Sequence, residues 1–358
     1  MRVFVTILLA FALNLLFTPV LIRYSKKKGW YDRLDDRKIH NENIPRTGGI
    51  GIFFSFLLSI MGTALWSGHQ EEIKLIFQPA FLAAGAGSLV MFVTGILDDF
   101  LNLRARFKLF LQIAAALIAL AGGLSFGPLL TPFGNTIDVP VLSFLLTLVW
   151  IVGVTNAVNL IDGMDGMAGG IAAIAAIFWI LIAFVSPQII AVYVLLPAAL
   201  LGAVLGFLVF NKPRAHIFMG DTGSLVLGYL LSLFPLFRVE GGSSIRWLLV
   251  GTTLLIIPIF DTLSAILRRL REKRSIGNPD REHIHHKFLD MGWKVPQILG
   301  LVYSVSLFSS IAAYLWIRYS TFLPAYTLPL TWIPAASIFV ILHYKRHAYR
   351  NNNKKQGI

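Results

Sequence analysis

Cysteine is absent from the 358-residue chain, which excludes disulfide bridges, thiolate nucleophiles and cysteine-ligated metal centres. Charge is scarce too. Asp, Glu, Lys and Arg make up 14% of the residues against 56% hydrophobic, and the mean hydropathy is +0.72. An ordinary soluble domain carries about a quarter charged residues, so a chain of this make-up needs lipid to dissolve in. No internal repeat and no low-complexity tract is visible, which removes solenoids and long flexible linkers.

Apolar run length is what the chain has in abundance. A helix of about 20 apolar residues crosses a bilayer core. About eleven stretches approach that length, at 3–22, 48–67, 79–98, 106–124, 141–160, 167–186, 188–210, 223–238, 245–266, 296–317 and 322–343. The expected fold is therefore an all-α polytopic membrane protein, residues 1–358 forming one domain of about eleven transmembrane helices. The first run has one charge before it and no small-residue cleavage pattern, and it runs straight into basic residues. It reads as an uncleaved helix, not a secretory signal. Residues 129–139, with Pro132, Gly134 and Asn135 between apolar arms, suit a small external β-hairpin.

Lys and Arg cluster in or beside the loops after odd-numbered runs, the exceptions being Arg2, Lys74, Arg238, Arg246 and Arg318. The positive-inside bias then predicts an outer N-terminus and a cytoplasmic C-terminus. The cytoplasmic segments are 23–47, 99–106, 161–166, 211–222 and 267–295, with a basic tail at 344–358. The net charge of +13 becomes an orientation signal, with basic tails suited to anionic headgroups, and no nucleic acid is required to explain it.

On this topology every carboxylate except Glu71, Glu72, Asp138 and Glu240 is cytoplasmic. Asp98, Asp99, Asp162, Asp165 and Asp221 sit at or beside helix ends, where ionisation close to hydrocarbon is costly. Any one of them alone suits a helix cap or a topology mark, but together on one face they point to a site.

In Gly95-Ile-Leu-Asp-Asp-Phe100 two adjacent carboxylates end an apolar helix and are followed by Arg104, Arg106 and Lys108. Holding both ionised requires a cation nearby, either these side chains or Mg²⁺. In Asn156-Ala-Val-Asn-Leu-Ile-Asp-Gly-Met-Asp-Gly166 the polar residues recur at a spacing of three, and Gly163 and Gly166 allow close approach of a ligand. Amides inside an apolar helix also serve as interhelical glue.

The run from Asn211 to Ser224 leads into another apolar helix. Asp221 precedes Thr222, Gly223 and Ser224 at what looks like a helix start, fit either to cap amides or to hold a metal–phosphate complex on free N–H groups. In Asn278-Pro-Asp-Arg-Glu-His-Ile-His-His-Lys287 the histidine spacing is not that of a zinc site. The imidazoles beside Arg281 and Lys287 suit a diphosphate-binding loop instead. Finally, Asp35-Asp-Arg-Lys-Ile-His40 and Pro45-Arg-Thr-Gly-Gly49 form a basic, glycine-ended entry to the second helix.

These five segments in this order resemble the polyprenyl-phosphate N-acetylhexosamine-1-phosphate transferases, across essentially the whole chain. The likeness is to the bacterial enzymes that load N-acetylglucosamine-1-phosphate onto undecaprenyl phosphate to begin O-antigen, common-antigen or teichoic-acid synthesis. The resemblance implies a bacterial cytoplasmic (inner) membrane enzyme with its active site on the cytoplasmic face. It implies UDP-N-acetylglucosamine as donor, undecaprenyl phosphate as acceptor, Mg²⁺ as cofactor with Mn²⁺ able to substitute, release of UMP, and a homodimer. By motif, Asp221 looks like the main metal ligand, with Asn156 beside it, and Asp98 like the acid that acts on the lipid phosphate. Asp99, Lys108, Asn159 and Asp162 complete the polar centre. Asn211, Asp165 and Phe218 would hold the uracil, with Phe218 stacking. His283, His285, His286 and Arg281 would contact the donor's phosphates, with His40 and Arg46 at the entry. The His-Ile-His-His order favours the N-acetylglucosamine branch over the muramoyl-pentapeptide translocase of the same family. Asp261, after Pro258 in the ninth run, has no assigned role.

An anionic phosphate attacking an anionic diphosphate makes charge neutralisation and alignment the dominant problem. Direct attack on the β-phosphate is preferred, an aspartyl intermediate being the alternative. The rival of another class is a secondary transporter, whose carboxylates would line an ion path. Against it, the polar groups cluster on one side and no inverted repeat is visible. A CDP-alcohol phosphotransferase is excluded by the missing Asp-Gly-x-x-Ala-Arg pattern, since Gly169 follows Ala168.

Overall fold

The computed structural model describes residues 1–31, 44–67, 74, 76–130, 136–137, 139–186, 191–237, 244–273, 283–319 and 327–342. The elements are α1 (Arg2–Lys28), α2 (Gly48–Ser67), α3 (Pro79–Leu101), α4 (Ala105–Ala121), β1 (Leu129–Leu130), β2 (Thr136–Ile137), α5 (Pro140–Ile161), α6 (Met167–Val185) and α7 (Leu195–Asn211). They continue with α8 (Gly220–Leu233), α9 (Ser244–Leu254), α10 (Ile256–Arg271), α11 (Ile284–Asp290), α12 (Val295–Arg318) and α13 (Thr327–Leu342). Helix ends follow local chemistry. α1 stops at Gly29, in the left-handed region at φ 70°, with Lys26, Lys27 and Lys28 against the C-terminal end of its dipole. α3 and α5 open on prolines, whose missing N–H costs nothing in a first turn.

Among the described residues each apolar run is largely helical, the 245–266 run as two helices, and the lengths differ from the expected uniform series. Among the described residues six helices are long and apolar enough to cross a membrane, or seven if one bent pair counts as a single span. That pair is α9 and α10, expected as one straight helix over 245–266. The two axes meet at 89° across Leu255. The cause is Pro258, whose ring clashes with the carbonyl four residues back, at Leu254, the last residue of α9. The break turns α10, with its basic end at Arg268, Arg269 and Arg271, nearly at right angles to α9. Between α4 and α5, β1 pairs antiparallel with β2, Leu129 opposite Ile137 and Leu130 opposite Thr136.

The core is organised around α8. Apart from Asp221 its residues are buried, and it is packed on by α2, α3 and α5. α1 lies along α2 and α7, while α6 packs on α7 and α12. Outward faces remain apolar, as at Phe4, Leu8, Leu16 and Val20 of α1, where hydrocarbon is the natural solvent. Trp150 of α5 donates from Nε1 to the Ser232 carbonyl at 2.8 Å, which fixes the far end of α8.

At the near end of α8 two glycines allow backbone to meet backbone. A Cβ on Gly95 of α3 would collide with Thr222, and one on Gly49 of α2 would collide with Gly223. A β-branched residue at position 95 would have to push α3 away from α8. Gly95→Val is expected to destabilise by about 2–3 kcal/mol, as overpacking does, seen as a lower melting temperature in detergent micelles. Gly85→Ala, on the same helix with nothing within 4 Å of its added carbon, is expected to melt as the parent does.

Candidate active site at the start of helix α8

The end of α3 presents two successive carboxylates, and a helical step of about 100° sends them to different partners. Asp99 reaches the start of α8. Its Oδ1 accepts from the Asp221 N–H at 2.8 Å, and its Oδ2 accepts from the Thr222 N–H at 2.9 Å and the Thr222 hydroxyl at 2.6 Å. This is an N-terminal cap supplied by another helix, a carboxylate on the positive end of the dipole. Asp99 has both oxygens committed to α8, and the first amides of α8 are not free to hold phosphate.

Asp98 faces the other way. Its Oδ1 accepts from the Leu103 N–H at 2.8 Å, closing the turn that Asn102 makes in the left-handed region at φ 51°. Its Oδ2 accepts from the Lys108 ammonium at 2.6 Å, and the same ammonium lies 3.5 Å from Asp221 Oδ1. One cation is thus shared by two carboxylates from different helices. Asn159 of α5 donates from Nδ2 to Asp221 Oδ1 at 2.5 Å and to Ser224 Oγ at 2.8 Å, holding the Asp221 carboxylate in place.

Asn156 does not join them. Its amide pairs reciprocally with Gln112 of α4, donating to Gln112 Oε1 at 2.6 Å and accepting from Gln112 Nε2 at 3.2 Å, and it also donates to the Val152 carbonyl at 2.8 Å. The oxygen expected to bind metal is already occupied, and the residue ties α4 to α5.

The 162–166 loop lies between α5 and α6. Asn211 Oδ1 accepts from the Gly166 N–H at 2.9 Å and its Nδ2 donates to the Ile217 carbonyl at 2.8 Å, while Asp165 Oδ2 accepts from the Ala215 N–H at 3.1 Å. Both side chains are buried. They knit the 162–166 and 212–219 loops together, with Asn211 and Asp165 both anchoring loop backbone. Phe218 is half-buried, its backbone joined to Pro45 and Gly48 at 2.8 Å and 3.0 Å. Burial pushes the Asp162 carboxyl well above the usual carboxylate range, Asp221 pushes it the same way, and Arg46 opposes them. Arg46 also lines a cleft of about 130 Å³ with Trp30, Phe100, Asp99 and Thr222.

The histidines form a ledge against this loop. The rings of His283 and His285 are parallel within 6° at 6.2 Å, and His286 follows at 4.2 Å from His285. The His285 ring occupies the space where a Cβ on Gly163 would sit. Burial first, then His286 and His283, hold the His285 pKa down at about 3, so the imidazole is neutral at physiological pH. His40 and Arg281 lie outside the described residues. No group of three or more His, Cys, Asp or Glu placed to share a metal occurs among the described residues.

Three participants are not evident from sequence. Ser224 is one turn after Asp221 on α8, and Gln112 is one turn after Lys108 on α4. Asp261 accepts from the Ile284 N–H at 2.9 Å, and its Oδ2 lies 2.7 Å from His283 Nδ1. The available signals were helical spacing for the first two and a lone carboxylate in an apolar run for the third.

Residues 81–238 match the model of the family described as glycosyl transferase family 4. A probable undecaprenyl-phosphate N-acetylglucosaminyl 1-phosphate transferase of Bacillus subtilis is 31% identical over 323 residues, covering 88% of this chain and 87% of its own length. The chain belongs to glycosyl transferase family 4. Also similar are an undecaprenyl-phosphate alpha-N-acetylglucosaminyl 1-phosphate transferase of Thermotoga maritima, 29% identical over 77% of this chain and 78% of its own, and a phospho-N-acetylmuramoyl-pentapeptide-transferase of Lactobacillus gasseri, 32% identical over 84% and 95%. The part matched by the family 4 model runs from α3 to the end of α8 and so contains the Asp98, Lys108, Asn159 and Asp221 cluster. With six or seven helices long and apolar enough to cross a membrane among the described residues, the chain is a multi-pass membrane protein.

The amide pair makes a direct prediction. Gln112→Met takes its partner from the half-buried Asn156 amide and Asn156→Leu from the buried Gln112 amide, and each is expected to destabilise by about 1–3 kcal/mol. The double variant should cost less than the sum, a coupling of about 1 kcal/mol or more in a thermal-melt cycle. Additive costs would contradict the pairing.

Proposed function

We propose that the protein transfers N-acetylglucosamine-1-phosphate from UDP-N-acetylglucosamine to undecaprenyl phosphate, releasing UMP and forming the lipid-diphosphate sugar that starts a cell-envelope polysaccharide. One observation carries this reading: the Lys108 ammonium shared between Asp98 and Asp221 where α3, α4 and α8 meet, in a chain similar over most of its length to a probable undecaprenyl-phosphate N-acetylglucosaminyl 1-phosphate transferase. The eleven apolar runs support eleven crossings, the basic loops support a site on the cytoplasmic face, and the similarity to bacterial relatives supports the bacterial inner membrane.

The donor set fits Mg²⁺, and Mn²⁺ by the same oxygen chemistry. Carboxylate oxygens are hard ligands, and Mg²⁺ is held by one or two of them together with substrate phosphates, not by a full protein cage. Asp221 would hold the ion, together with phosphate oxygens of the substrates. When bound it neutralises phosphate charge and stabilises the departing UMP.

The chain's own residues do the rest. A phosphate monoester has a second pKa of about 6, so the acceptor is mostly dianionic near pH 7 and needs little deprotonation. Asp98 takes the residual proton and orients the attacking oxygen. That oxygen bonds to the β-phosphorus of the donor as the bond to the bridging oxygen breaks, and the electron pair leaves with UMP. Lys108 offsets the negative charge of the approaching groups, and Asn159 keeps Asp221 from turning away. Phe218 offers the uracil a ring, while Asn211 and Asp165 hold the loop that carries it. The histidine ledge faces the donor's phosphates.

Purified protein given undecaprenyl phosphate, Mg²⁺ and UDP-N-acetylglucosamine is expected to release UMP and form lipid product. Asp221→Asn should lower kcat about 10³-fold or more, the loss seen when one preorganised electrostatic group is removed. Asn159→Ala should lower it by about 10- to 100-fold, as loss of an orienting partner does. Turnover with UDP-N-acetylmuramoyl-pentapeptide alone would move the protein to the branch of the Lactobacillus relative. Turnover with neither donor, or solute uptake by vesicles without lipid product, would overturn the proposal.

A further inference from the structure

Asp261 is a carboxylate that the proposed chemistry leaves unused, and its burial is expensive. It is 1% exposed, on the helix that the Pro258 break turns through 89°. Removing a carboxylate from water costs several kcal/mol unless its oxygens are well partnered. Among the described residues both side-chain partners belong to one short segment, the His283 ring at 2.7 Å and the Ile284 N–H at 2.9 Å. A side chain needed only to receive one backbone N–H is supplied more cheaply by Asn or Ser, so the charge calls for another explanation.

A carboxylate has acceptors only, so the nitrogen it faces carries the proton. Asp261 therefore fixes the proton of His283 on Nδ1 and leaves Nε2 as the nitrogen available to a ligand. It fixes the ring's position as well. His283 is parallel to His285, and His285 fills the space beside Gly163, the residue after Asp162. A continuous set of contacts thus runs from α10 through two imidazoles to the loop beside the Asp221 cluster.

We propose that Asp261 is a positioning residue for the sugar-nucleotide diphosphate: by holding His283 at Nδ1 and the chain at Ile284, it sets the register of the His283–His285–His286 ledge against the Asp162–Gly166 loop. The inference rests on the transferase reading above. It assigns Asp261 no contact with substrate and no part in the bond-making step.

Asp261→Asn tests it. An asparagine still accepts from Ile284 through its carbonyl, but it turns an NH₂ group toward His283, so Nδ1 must accept and the proton moves to Nε2. The expected result is a fall of about 10- to 100-fold in kcat/KM for the UDP-sugar, with the KM for undecaprenyl phosphate and the melting temperature unchanged. His283→Ala should show the same donor-selective loss, and the double variant Asp261→Asn, His283→Ala should be no worse than His283→Ala alone, because the two residues act as one unit. Asp261→Glu, which keeps the acceptor-only chemistry, should recover part of the loss. Equal losses toward donor and acceptor with a lowered melting temperature would make Asp261 a structural residue only and overturn the inference, as would multiplying losses in the double variant. A wild-type enzyme that turns over UDP-sugar while Asp261→Asn keeps its donor kinetics would overturn this inference alone. No turnover by the wild type with either donor would overturn the function and this inference together.

Discussion

The site depends on one capping interaction, the Asp99 carboxylate at the start of α8. The helix begins with amides that have no partner within the helix, at the positive end of a dipole, and Asp99 supplies oxygen and charge to Asp221 and Thr222 at once. A cap of this kind is worth about 1–2 kcal/mol in isolation. Its larger effect is positional. It welds the end of α3 to the start of α8, so that the carboxylate next to Asp99 and the side chain of Asp221 meet across a single ammonium. The glycine contacts at Gly49 and Gly95 allow that weld by letting backbone replace side chain.

The polar centre is therefore built in layers. Asp98, Lys108 and Asp221 form the charged layer, and one ammonium between two carboxylates leaves a net negative charge that suits the proposed divalent ion. Behind it, Asn159 and Ser224 steady Asp221, and the Asn156–Gln112 pair joins α4 to α5. Asn211 and Asp165 fasten the two loops that face the centre, and their burial shows that polar residues in a membrane domain are often spent on holding backbone. The histidine ledge reaches the same place by another route, carried on the arm that begins at the Pro258 break.

Much of this was legible in the sequence, for identifiable reasons. Apolar run length is a strong signal, and the runs mark the helices. Clustering of Asp98, Asp99, Asp162, Asp165 and Asp221 at run ends marks the site. What could not be read was partner choice. Asp98 and Asp99 look alike in sequence, and only the helical twist separates a carboxylate beside Lys108 from one that caps α8. Asn156 and Asn159 share a spacing, yet one faces Gln112 and the other Asp221, a distinction set by which helix lies opposite. The right-angle turn at Leu255 was hidden because the apolar run continues through it, and Pro258 alone does not say how far a helix will turn. Asp261 had no meaning until that turn brought it to His283.

Because α8 is sheathed by α2, α3 and α5, the helix that carries Asp221 is screened by protein on its sides. The helices that meet hydrocarbon are its neighbours, through faces such as Leu82, Leu89 and Val93 of α3 and Leu142, Leu145 and Val149 of α5. Changes in bilayer thickness or acyl composition act on those outer helices as tilt and depth. Asp221 is thereby screened from lipid, whereas Asp98 and Lys108 stand on helices with lipid-facing sides, so their spacing to Asp221 under a change of bilayer rests on the Asp99 cap that ties α3 to α8.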